Sequence, residues 1–195
     1  MSQQKSLSKE EVKEFVVAGH FNLEKIQKML TANPGLLNAV YDWGEQGGPE
    51  TAVQAAAHVG NRVNAEFLLG KGAPLEICTA AMLNRYDEVM SRIRKDPAAA
   101  KATGAHGIPL LAHAAFSRNP SLVQFVFKSG GTTGANLALQ NAVMTGNGEI
   151  AEWLLGNAGA DVNAKNFEGK TPLRVARDRN DQVLVKLLTQ RGAVG

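Results

Sequence analysis

The sequence predicts an all-α fold of stacked helix-turn-helix units filling one domain, residues 1–195. Three observations predict it. Apolar stripes at helical spacing recur along the chain. A Gly or Asn stands where each helix must end. The composition favours small residues, with 20 glycines and only 6% aromatics, so the helices can approach closely rather than pack around large rings.

The unit is clearest near the C-terminus. Thr171 caps a helix and Pro172 occupies its first turn, where a missing N–H costs nothing. Leu173 and Ala176 follow at helical spacing, and Asn180 stands where the chain must bend, a residue that tolerates the left-handed conformation. Val183, Leu184, Leu187 and Leu188 stripe a second helix, and Gly192 stops it.

The same unit recurs upstream. Ile150, Trp153, Leu154 and Leu155 form a second-helix stripe followed by Gly159, Ala160, Asp161, Val162 and Asn163. Thr51, Ala55, Ala56, His58 and Gly60 form a first helix and its bend, followed by Phe67, Leu68 and Leu69, then Gly72 and Ala73. Ser8 and Glu11 have the spacing of a capping box ahead of the first unit, whose second helix holds Leu23, Ile26 and Leu30. Further units run from Leu75 to Ile93, from Pro109 to Phe127 and from Leu137 to Leu155.

These residues resemble the ankyrin repeat, whose pattern is T-P-L-H-x-A-A-x-x-G-H, then a Leu-Leu helix, then G-A-D-V-N. The resemblance covers nearly the whole chain at roughly the family period of about 33 residues. It implies an ankyrin-repeat solenoid of about six repeats, roughly 8–40, 41–73, 74–105, 106–131, 132–165 and 166–195. The links at 70–74 and 130–134 are too short for a full β-hairpin finger, while the link from Leu37 to Glu50 is long. Some fingers are therefore expected to be shortened or missing, and the finger carrying Tyr41, Asp42 and Trp43 enlarged. The expected core side chains are Phe67, Leu68, Phe125, Phe127, Trp153 and Leu187.

Composition restricts the function. The net charge of +3 is too small to argue for nucleic acid, and Arg174, Arg177, Arg179 and Arg191 read as a solvated end cap. No apolar run reaches membrane-spanning length. The polar stretch from Met1 to Ser8 lacks the apolar heart of a leader. A single cysteine, Cys78, allows no intrachain disulfide. It is expected to lie buried and inert within a first helix. A cytoplasmic protein is expected.

The resemblance places the binding surface on the concave face, at the fingers and the C-terminal end of each first helix. Those positions hold His58, Val59, Met82, Leu83, Phe116, Met144, Asp178 and Arg179. Val59, Met82, Leu83, Phe116 and Met144 would form an apolar strip of the kind that marks interaction surfaces. Tyr41 and Trp43 would either project as anchors or fold back as the finger's own core. The reading is a non-catalytic adaptor that holds an apolar or amphipathic segment of another protein.

The alternative is a small-molecule binder or enzyme, with Asp42, His58, His106 and His113 converging on the same groove, and a small apolar ligand there. No G-x-S-x-G, Walker or H-E-x-x-H motif is present. His106 and His113 lie seven apart with Pro109 between them, and no zinc-type Cys/His spacing occurs, so neither a metal nor a cofactor is expected.

Overall fold

A computed structural model describes residues 7–45 and 47–194; the stretch 1–6, most of the segment read above for a leader, lies outside them. The described residues form twelve α-helices and a single two-stranded sheet, which is the all-α repeat fold the sequence predicts. They divide into two compact units, residues 1–79 with 103–108, and residues 80–102 with 109–195.

Unit 1 holds α1 (Lys9–Phe21), α2 (Leu23–Ala32), a 3-10 turn at Pro34–Leu36, β1 (Val40–Asp42), β2 (Pro49–Thr51), α3 (Ala52–His58) and α4 (Arg62–Gly70). The Ser8 hydroxyl accepts from Glu11 N–H at 3.1 Å, which makes one half of the predicted capping box, while the Glu11 carboxylate accepts from the Asn33 side chain. Strands β1 and β2 pair antiparallel, with Tyr41 opposite Glu50; this is the enlarged finger. Helix α1 packs on α3 so closely that a methyl group on Gly19 would stand 2.5 Å from the Ala52 carbonyl oxygen. Phe15, Val16, Ile26, Leu36, Val53 and Leu68 fill the core. Each Leu or Phe buried this way contributes about 1.5–3 kcal/mol in transfer terms.

Helix α5 (Ile77–Met82) crosses the division between the units. Unit 2 continues with α6 (Tyr86–Lys95), α7 (Leu110–Ala115), α8 (Pro120–Lys128), α9 (Ala135–Met144), α10 (Gly148–Asn157), α11 (Pro172–Asp178) and α12 (Gln182–Gln190). The predicted punctuation is present. Thr171 accepts from Arg174 N–H, with Pro172 in the first turn. Asn180 takes φ 57° and Gly192 φ 87°.

Asn64 of unit 1 and Asn141 of unit 2 serve the same purpose. The Asn64 side chain donates to the Gly19 carbonyl at 2.8 Å, and the Asn141 side chain donates to Ala112 at 2.9 Å. Each thereby ties a backbone carbonyl of a neighbouring first helix to the next layer.

The predicted core is corrected at several positions. Leu68 is fully buried, but Phe67, Phe125, Phe127, Trp153 and Leu187 are only partly so. The sealed positions are Leu122, Val126, Leu154, Leu184 and Leu188. A second helix is covered on one side only, so its stripe divides into a sealed row and a rim. The rim aromatics meet edge to face, as Phe127 and Trp153 do at 5.3 Å between centroids.

Candidate functional site

The bend positions predicted as an open apolar strip are mostly closed. Met82 is 0% exposed, Leu83 3% and Phe116 5%. Met82, Phe116 and Met144 each stand two residues before a left-handed bend residue, Asn84, Arg118 and Gly146, so they differ in how they are covered and not in their place in the repeat. Every residue of α7 is buried, and Phe116 at its end remains within the packed layer. Met144, the last residue of α9, is 44% exposed.

Met144 has a charged rim within unit 2. Arg179 donates to the Met144 carbonyl at 2.6 Å, and Arg118 donates to the Thr145 carbonyl at 2.8 Å. Asp178 pairs with Arg174 at 2.9 Å and Lys170 at 3.3 Å.

The finger residues Tyr41 and Trp43 fold back, half-buried, onto the unit 1 core. Their rings meet edge to face at 4.7 Å, and the Lys13 ammonium lies 5.8 Å from the Tyr41 centroid. Asp42 does not join the histidines. It turns to the hairpin, where its carboxylate accepts from Gly44 N–H at 2.9 Å. His113 is buried inside α7, in unit 2.

A different carboxylate takes the central place. Glu50, the middle residue of β2, is 0% exposed. Its Oε2 accepts from the Trp43 indole N–H at 2.7 Å. Its Oε1 lies 2.9 Å from His58 Nδ1 and 3.3 Å from His106 Nε2. These are ion-pair distances, but the His58 nitrogen and Oε1 lack the alignment of a hydrogen bond, and Oε1 has no hydrogen-bond partner. The His58 ring also meets His20 at 4.9 Å and His106 at 5.0 Å between centroids. His20 Nδ1 lies 3.1 Å from the Val17 carbonyl oxygen, which fixes that nitrogen as the N–H donor. Partly buried Val59 caps the end of α3 beside His58.

The charges respond to this crowding. Burial, and then the neighbouring His58, hold His20 below its ordinary 6.5. Burial works to raise Glu50, but contact with His58, the Trp43 hydrogen bond and His106 outweigh it and hold the carboxyl below 4.5. Burial, then Glu76, pushes the Cys78 thiol up to about 12; with 3% of its surface exposed, Cys78 is buried as expected. A groove of about 490 Å³ lined by Leu30, Pro34, Leu37 and Phe67 shares no residue with the imidazoles.

Sequence spacing selected His58 and His106 but missed His20 and Glu50, which come from α1 and the finger. One available signal was a Glu directly before the Thr51 cap, in a strand whose partner strand leads into Trp43.

Residues 110–194 match the family model for ankyrin repeats, in three copies. Those residues carry ankyrin repeats. Two curated relatives agree. The I-Kappa-B like protein C2 of Microplitis demolitor bracovirus (isolate Webb) is 41% identical over 58 residues, 30% of this chain and 32% of that protein. A putative ankyrin repeat-containing protein of Treponema pallidum (strain Nichols) is 45% identical over 56 residues, 29% of this chain and 18% of the relative. The chain thus spans a third or less of the length of these relatives. Ankyrin repeats serve in general as protein-interaction modules. No helix among the described residues is long and apolar enough to cross a membrane.

Proposed function

We propose that this chain is a non-catalytic adaptor of the cytoplasm. It holds an amphipathic, partly acidic segment of another protein against the bend at Met144 and Thr145. The observation that carries this reading is Met144, an exposed apolar side chain at the end of α9 within the three matched repeats. The guanidinium groups of Arg118 and Arg179 reach its bend. An apolar anchor with a basic rim suits a partner with alternating apolar and acidic groups.

Selection of a displayed random peptide library on the full chain tests this. Amphipathic acidic peptides are expected to be enriched and to be lost with Met144→Glu, while the helical circular dichroism persists. Failure to enrich peptides, or equal binding by Met144→Glu, contradicts the reading.

A small-ligand site in the same chain is the second reading. Glu50 favours it, because a buried carboxylate facing three imidazoles resembles a binding centre more than a packing device.

A further inference from the structure

We propose that His20, Glu50 and His58 bind a divalent zinc-class metal ion in unit 1, with His106 as the nearest further donor. One donor atom from each of the three residues lies within 4.8 Å of the others. The inference supplies a ligand for the second reading above and is independent of the peptide surface at Met144.

Four features of the geometry support it. First, the separations suit a shared ion. A tetrahedron drawn with metal–ligand distances of about 2.0–2.1 Å has edges of about 3.3 Å. Glu50 Oε1 stands 2.9 Å from His58 Nδ1 and 3.3 Å from His106 Nε2. Contraction of the donor set from 4.8 Å is within the reach of small side-chain rotations.

Second, the closest pair is near without being hydrogen-bonded. Glu50 Oε1 and His58 Nδ1 are buried polar atoms with no hydrogen-bond partner. Burying such groups without partners is unfavourable. A cation between them satisfies both lone pairs at once.

Third, the supporting partners are in place. Metal-bound histidines usually donate their other ring N–H to a carbonyl or carboxylate, and metal-bound carboxylates are themselves hydrogen-bonded. His20 has the Val17 carbonyl at Nδ1, which leaves Nε2 as the donor atom. Glu50 has Trp43 at Oε2, which leaves Oε1 facing the imidazoles. His20 and Glu50 thus each have one atom committed to the protein and one left for an ion.

Fourth, the donor chemistry selects the ion. Imidazole nitrogens with one carboxylate suit zinc and its first-row neighbours. Magnesium and calcium require sets built of oxygen. The ligands also come from three separate elements: His20 from α1, Glu50 from β2 and His58 from α3. An ion would therefore staple the enlarged finger to α1 and α3.

The test uses the full chain, stripped with a chelator and titrated with zinc chloride in a calorimeter. One zinc per chain is expected. His20→Asn and His58→Asn are each expected to weaken binding at least about tenfold, and Trp43→Phe about tenfold through Glu50. His20→Asn alters a partly exposed side chain, so it decides the matter if the His58 variant fails to fold. Cobalt replacing zinc should give the visible bands of a four-coordinate nitrogen and oxygen site. No binding, binding untouched by His20→Asn, or cobalt spectra of the hydrated ion would overturn the proposal. None of these results bears on peptide binding at Met144.

Discussion

Unit 1 and unit 2 build the same repeat differently. Unit 2 keeps to the regular plan: paired helices, sealed second-helix rows, and bends in the left-handed conformation at Asn84, Arg118, Gly146 and Asn180. Unit 1 adds a hairpin and buries a carboxylate among imidazoles. Burying a charge is unfavourable unless it is paired and hydrogen-bonded. Regular repeats do not require it, so its presence marks the part of the fold specialised beyond stacking. Each unit also contains one of the two tryptophans, Trp43 and Trp153, so fluorescence of the Trp153→Phe and Trp43→Phe backgrounds reports the units separately.

The largest effect should come from the packed rows. Leu154→Ala in unit 2 removes a side chain that is 0% exposed and should cost about 2–5 kcal/mol, read as a lower urea midpoint of Trp153 fluorescence. A cost below 1 kcal/mol would mean that the second-helix row is not the core of unit 2.

Acid should separate the units next. Glu50 and His20 both titrate below their ordinary values in the folded chain, so near those values the unfolded chain binds more protons than the folded one. Their stabilisation is complete at neutral pH. It declines as pH falls below about 6.5 for His20 and below about 4.5 for Glu50. Urea midpoints reported by Trp43 in chelator-treated protein should therefore drop with acid, and Glu50→Gln should flatten the lower part of that fall. An unchanged profile in Glu50→Gln would show that Glu50 contributes nothing to the pH response.

Helix caps should give the smallest difference. Thr51 of unit 1 and Thr171 of unit 2 cap equivalent first helices. Thr171→Ala should cost about 0.5–2 kcal/mol. Thr51→Ala should cost at least as much, because Thr51 also anchors a reciprocal capping box with Gln54. A smaller loss at Thr51 would contradict equivalent roles.

The same contrast explains what was legible in the sequence. The caps and bends of unit 2 are local events, fixed by residues a few positions apart, and Thr171, Pro172, Asn180 and Gly192 announced them. The strip of Met82, Leu83 and Phe116 was misjudged because exposure at a bend depends on the layer that covers it, which the local sequence does not encode. Naming Phe67 as core beside Leu68, and Phe127 and Leu187 likewise, failed for a related reason, since a periodic stripe does not say which of its two rows is covered. The Glu50 centre was least visible. Its partners come from α1, α3 and the turn at Ala105–Gly107, and only folding brings them together. Asp42 was the nearer carboxylate by chemistry, but the pleat of the hairpin turned Glu50 inward and left Asp42 exposed.

The four histidines allow the most direct test of a specialised centre in unit 1. Imidazole resonances can be followed in the full chain while zinc is added. The account predicts that His20, His58 and His106 shift together up to one equivalent, while His113, inside α7, stays in place. Resonances that all remain fixed, or that move only in proportion to their exposure, would contradict it.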